Sequence, residues 1–186
     1  MKLTKVNRQF GAWLLSKIDH SSCAIIPDVN KKIPISSKEI NLLFGLPCSG
    51  KPIESCNHDE IERNKRIICE IFGVSHFSKV TVKLLEEILQ KQYPNPLSLN
   101  DQRSFKAAFV LYVMTKFLAP QSLANYISTR YISPVADIDN ILQYNWAQFI
   151  VDDIMKSASL IPKRFHNPSQ VSINGCILLL QVCSFH

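Results

Sequence analysis

Glycine is scarce in this chain, five among 186 residues, and with only ten prolines the composition excludes a collagen-like or low-complexity polymer. Charged residues reach 19% against an apolar fraction of 46%, which excludes the weakly hydrophobic, highly charged make-up of a disordered chain. Long hydrophobic runs are missing as well. The strongly apolar stretch Ala107–Thr115 falls well short of the ~18 residues that a membrane span requires. Met1–Asp19 interleaves charges with its apolar residues and is no secretory signal. There is no N-x-S/T sequon, and no C-x-x-C pair among Cys23, Cys48, Cys56, Cys69, Cys176 and Cys183. These absences predict reduced thiols and a nuclear or cytoplasmic location away from any membrane.

What is present is globular. A chain of this length fits one domain, 1–186, able to hide roughly 70% of its unfolded surface. The net charge is +6, divided between the halves with no concentrated basic tail. That balance reads as a solvated mixed-charge surface with at most weak phosphate affinity. The candidate nucleic-acid contact is the basic loop Lys163, Arg164 and His166 with Arg130.

Periodicity predicts helices. Val6, Phe10, Trp13 and Leu14 share a stripe on a 3.6-residue period. Residues 24–35 read as a small hairpin resting on helices. Ser36 with Glu39, and Asn57 with Glu60, have capping-box spacing, and helices carrying Ile40, Leu43 and Phe44, then Ile61, Ile68, Ile71 and Phe72, follow them. Asp59–Arg63 and Glu62–Arg66 are spaced as outer-face ion pairs. Thr81 caps a helix with Val80 and Leu85 as its hydrophobic staple. Tyr93-Pro94-Asn95-Pro96 interrupts the chain and predicts a subdomain break near 93–97. Leu99–Leu118 is apolar nearly all round, with Phe105, Ala108, Phe109, Tyr112, Val113 and Phe117 on one face, and predicts a central buried helix. Residues 121–141 read as irregular. Asn145 caps a helix whose buried stripe is Trp146, Phe149, Ile150 and Ile154, with Asp152–Lys156 as an exposed pair. The closing apolar segment, 171–185, reads as a helix. The fold expected is mainly α: an irregular bundle of about seven helices with the hairpin near residues 24–35.

Chemistry-bearing patterns are thin. Gly45-Leu46-Pro47-Cys48-Ser49-Gly50-Lys51 matches the string of a phosphate loop. A helix precedes it, however, Pro52 stands where magnesium binding requires a hydroxyl, and Pro47 removes a backbone donor. It reads as a helix-terminating turn. Cys56, His58, Cys69 and His76 lack the knuckle spacing of a structural zinc site and read as ordinary side chains. No cysteine carries a nucleophile signature, and Lys116 reads as a snorkelling lysine rather than a Schiff-base lysine. No residue is assigned as catalytic, cofactor-binding or metal-ligating.

Several segments follow one another in a familiar order: "FGAWLLSKID", "KIPISSKEINLLFGLPCSGKPI", "SFKAAFVLYVMTKFLAP", "YISPVADIDNILQYNWAQFIVDDIM" and "INGCILLLQ". Together they resemble the plant mobile domain, also labelled aminotransferase-like, of transposon-derived plant proteins. The motifs are hydrophobic patterns fixed by Gly45, Pro47, Gly50, Pro120, Trp146 and Gly175. The resemblance implies a helical unit with no established reaction, fused in some members to a ubiquitin-like (SUMO) protease domain that would lie beyond this C-terminus. It fades at Val182, which predicts a truncated C-terminus. The function expected is a non-catalytic binding or scaffold module with a protein partner. The alternatives are an accessory domain of a ubiquitin-like protease and a weak nucleic-acid-binding module.

Overall fold

The computed structural model describes residues 8–28, 30–121, 127–161, 175–176 and 180. Among them the chain is mainly α-helical. Seven α-helices are formed, α1 (Arg8–Ser16), α2 (Ser37–Phe44), α3 (His58–Phe72), α4 (Val82–Gln90), α5 (Leu99–Val113), α6 (Ile132–Ala136) and α7 (Trp146–Ser159). One small antiparallel sheet accompanies them, in the order β1 (Ile18–Asp19), β2 (Ala24–Asp28), β3 (Lys31–Pro34). No helix among the described residues is long and apolar enough to cross a membrane. The chain groups into two compact units, each assembled from separated stretches. The first comprises Met1–Ser49, Phe117–Ser122 and Asn145–His186, and the second Gly50–Lys116 and Leu123–Tyr144. Residues 93–97 lie inside the second unit, between α4 and α5.

In the first unit, α1 buries Ala12, Leu14 and Leu15, while Trp13 turns outward and stacks on Phe10 with ring centres 5.7 Å apart. The predicted stripe is therefore displaced by one residue, because Leu14 and Leu15 take the inner face. The hairpin pairs Ile25 with Ile33 and Ala24 with Pro34. The two-residue β1, too short to leave a periodic signal, adds to it through Ile18 and Ile25. Asp19 shapes the turn that follows β1: its carboxylate accepts from the Ser21 hydroxyl at 2.8 Å, from the Ser22 amide at 3.1 Å and from the Ser22 hydroxyl. Those bonds, the Ser22 hydroxyl first and the Ser21 hydroxyl next, lower its pKa from 3.8 to about 2.

Ser36 precedes α2 as expected, but the capping box does not form. Its hydroxyl donates to the Glu39 carboxylate, and its side chain caps no backbone amide. On α7 the cap is as read: the Asn145 side chain accepts from the Gln148 amide at 2.9 Å. Trp146, Phe149, Ile150 and Ile154 are buried, Trp146 at 4% exposure, and α1 and α2 both pack on this helix. Asp152 takes the Gln148 side-chain amide at 2.9 Å in place of the ion pair expected with Lys156.

In the second unit the Asn57–Glu60 capping box closes in both directions, at 2.9 and 3.0 Å. Gly73 ends α3 in the left-handed conformation, φ 65°, which glycine adopts without a Cβ clash. On the outer face Glu62 pairs with Lys65 at 2.7 Å rather than with Arg66. Thr81 caps α4, and Val80 and Leu85 are both buried as a staple requires. Helix α5 corrects the expectation of an all-buried helix. Ala107, Ala108 and Leu111 form its inner face, whereas Phe105 and Phe109, half a turn round, are 37% and 52% exposed. Small alanines let α5 approach its neighbours closely, so the larger rings occupy the opposite side. Immediately after it Met114–Leu118 widens into a π-helix. The stretch read as irregular is largely helical: a 3₁₀ turn at Thr129–Tyr131, then α6, then a 3₁₀ segment Ile138–Gln143. Pro134 fits α6 because it sits in the first turn, where no intrahelical amide bond is lost. The basic loop Lys163–His166 and the expected C-terminal truncation lie outside the described residues, as does most of the closing segment; Gly175, Cys176 and Leu180 within it are buried.

Two measurements check these assignments. Trp146→Ala should cost about 3–5 kcal/mol of stability, read as a lowered denaturant midpoint; an unchanged midpoint would remove Trp146 from the core. Asp19 has a depressed folded-state pKa, so its stabilising contribution is complete above 3.8 and fades as pH falls toward about 2. In an NMR carboxyl titration, Ser22→Ala should return the Asp19 midpoint toward 3.8, and a midpoint that stays put would contradict this account of the turn.

Candidate functional site

The residues with chemical potential are placed where structure uses them. Gly45 is the left-handed C-cap of α2, φ 67°, and its amide donates to the Asn41 carbonyl at 2.8 Å. The Asn41 side chain reaches the Leu46 carbonyl at 2.7 Å. Within the same unit the Pro47 carbonyl accepts from the Ala147 amide at 3.0 Å, and the Cys48 carbonyl from the Asn145 side chain at 3.2 Å. These residues therefore end a helix and fasten it to the start of α7. In the second unit the Lys51 amide donates to the Gln143 carbonyl at 2.7 Å, and the Lys51 ammonium lies over the Tyr144 ring, 5.5 Å from its centre. Gly50, φ 104°, passes so close to Gln143 that a Cβ would strike its carbonyl. The string resembling a phosphate loop thus runs as a strand-like fastening, with Lys51 committed to an aromatic face.

The cysteine and histidine candidates form no common cluster, although Cys69 and His76 line one concavity of about 410 Å³ beside the end of α3. The Cys56 sulfur takes the Asn64 amide nitrogen at 3.8 Å, His58 opens α3 in solvent, and His76 is an exposed residue before a 3₁₀ turn. Burial, with the Glu70 charge beside it, pushes the Cys69 thiol up, the direction opposite to an activated thiolate. Among the described residues no three His, Cys, Asp or Glu gather to hold a metal ion. Lys116 is half-buried in the π-helix. Arg130 is half-buried in a 3₁₀ turn, and the rest of its basic group is not described.

Among the concavities of the described residues, two bear on function. A cleft of about 600 Å³ in the second unit is rimmed by Arg103, Asp101, Asp137 and Asp139. These four side chains are already engaged. Asp139 receives two bonds from the Arg103 guanidinium, which hold its carboxyl below the usual range. Asp101 accepts from Ser98 and Lys91, and Asp137 from Asn140 and Tyr144.

The second concavity, in the first unit, is a groove of about 360 Å³ between β3 and α2. Ile33 and Pro34 line one wall, Leu42 and Leu43 the other, with Lys31, Lys32 and Glu39 at its margins. Ile40 anchors α2 inward, fully buried, while Leu42, about half a turn round, is 82% exposed and Leu43 38%. The Gly45 cap and the Asn41 and Pro47 bonds fix the end of α2 that carries these leucines. This apolar, held and uncovered surface is the best candidate for function in the described residues. The sequence does not display it, because Ile40, Leu43 and Phe44 form one apolar stripe whose pattern does not say which members a neighbour covers. The available signal was Leu42, an apolar residue outside that stripe on an otherwise amphipathic helix.

The chain belongs to the family described as Domain of unknown function (DUF8566), whose model matches residues 1–181. No curated protein and no solved structure matches it.

Gly50→Ala should destabilise the protein by about 1–3 kcal/mol in chemical denaturation, since it combines a disfavoured φ with the carbonyl clash. Lys51→Ala should leave any interaction with magnesium ATP unchanged in calorimetry. Saturable nucleotide binding abolished by that variant would restore the phosphate-loop reading.

Proposed function

We propose that this chain is a non-catalytic helical module that binds a partner protein, acting in the nucleus or cytoplasm. The observation that carries the reading is the β3–α2 groove, where Leu42 and Leu43 are held in solvent by a capped and fastened helix. Removing an exposed leucine from water gains roughly 1.5–3 kcal/mol, so a partner covering both would acquire a useful share of a binding energy. Asp101, Asp137 and Asp139 at the larger cleft are spent on side-chain pairs, which favours scaffold over reaction chemistry. Free thiols at Cys23, Cys48, Cys56 and Cys69 fit a reducing compartment. The resemblance to the plant mobile domain supports a transposon-derived origin and the further role of an accessory unit beside a ubiquitin-like protease domain.

The test is site-specific photo-crosslinking in cells, with the reactive side chain at position 42 and, as control, at the exposed position 78. The expected result is a discrete polypeptide adduct at 42 and none at 78. The captured protein, purified and recombined with the chain, should bind it and lose that binding with Leu42→Asp. Nuclease-sensitive adducts, with an affinity that collapses as salt rises, would replace this reading with a nucleic-acid module. Identical adducts at both positions would overturn it outright.

A further inference from the structure

We infer that, on the module reading above, the β3–α2 groove receives a short apolar segment of the partner flanked by carboxylates. The groove's volume, about 360 Å³, suits two or three aliphatic side chains rather than a cofactor. Its walls, Ile33 and Pro34 facing Leu42 and Leu43, are apolar, and its polar groups, Lys31, Lys32 and Glu39, stand at the margins.

The backbone adds a directional element. β3 is the outer strand of the sheet. The Ile35 amide bonds the Cys23 carbonyl at 2.8 Å, and Ile33 pairs with Ile25. Opposite Lys32 the register of β2 shifts, between Ile25 and Asp28, so regular pairing is interrupted there and Lys32 is the position of this edge at which an added residue could pair. Pro34 has no amide to continue such a ladder. One residue of an extended segment can add to this edge, and a long strand cannot. That limits the occupant to a short peptide and guards the edge against another sheet.

Charge sets the flanks. Lys31 stands opposite Asp28 in the hairpin register, and Glu39 receives the Ser36 hydroxyl. Lys32 borders the groove in solvent, and the exposed Lys38 lies one helical turn before Leu42 on α2. Lys31, Lys32 and the neighbouring Lys38 outnumber Asp28 and Glu39, and this cationic excess selects a segment with aspartate or glutamate next to its apolar residues and disfavours a basic one.

The experiment is fluorescence anisotropy of the full chain with a labelled octapeptide, Asp-Asp-Leu-Val-Leu-Thr-Asp-Asp. Its counterparts carry lysine at the four flanking positions, or serine in place of both leucines. The aspartate-flanked peptide should bind roughly tenfold tighter than either counterpart, a preference weakened by salt. Leu42→Asp should lower its affinity by roughly tenfold without moving the thermal melt, because that side chain is 82% exposed. Lys32→Glu with Lys38→Glu should transfer the preference to the lysine-flanked peptide. Equal affinity for acidic and basic peptides, or indifference to Leu42→Asp, would overturn the inference. So would dimerisation of the free chain that Leu42→Asp abolishes, since the occupant would then be a second copy. Failure here with a retained crosslinked partner at position 42 removes only the peptide assignment; failure of both removes the module reading as well.

Discussion

The Asn145 side chain donates to the Cys48 carbonyl across 97 positions of sequence, while its oxygen caps α7. One residue thereby starts a helix and ties it to the end of another. The Ala147 amide adds a second tie, to Pro47. Much of the first unit follows from this fastening, because α7 carries Trp146, Phe149, Ile150 and Ile154 into the core on which α1 and α2 pack. The second unit has a comparable closure of its own, between Lys51 and Gln143. Each unit is built from distant stretches of chain, so closures of this kind, and not local propensity alone, define which segments belong together. Helix propensity gives each element a marginal start, and tertiary contacts supply most of what makes it persist.

Local grammar was highly legible. Asn57, Thr81 and Asn145 cap the helices they precede, Gly45 and Gly73 end theirs in the left-handed region, and the Ile25–Ile33 hairpin pairs as its pattern implies. These features depend on a few neighbouring residues, which a sequence displays directly. Burial was less legible. Trp13, Phe105 and Phe109 looked like core residues and face outward, because size and hydrophobicity do not say which face a neighbour will cover. In α5 the alanines decide the matter, since close helix approach needs small side chains. The 3₁₀ and α-helical turns between Thr129 and Gln143 went unread for another reason: each is too short to show a period.

The candidate groove was the least legible feature. Its walls come from a strand and a helix separated by two residues, yet its character rests on Leu42 remaining uncovered, and that follows from how Ile40 is buried. Conversely, the string that most resembled a functional motif is structural. Gly45 stops a helix and Gly50 permits a close backbone passage, so the two glycines satisfy local geometry and leave no cradle for phosphate. Spacing alone suggested phosphate chemistry, and the flanking elements argued against it.

The interrupted make-up of the two units also bears on the order in which the chain can mature on the ribosome. All the stretches of the second unit have been synthesised once Tyr144 is added, whereas the first unit still lacks α7 at that moment. Leu14, Leu15 and Ile40 must wait until the chain has grown as far as Trp146–Ser159 for the helix that packs on theirs. At ordinary elongation rates of roughly 5–20 residues per second, that wait lasts several seconds, long compared with hydrophobic collapse. The apolar faces of α1 and α2 therefore stay without their main covering surface until the later-encoded α7 arrives.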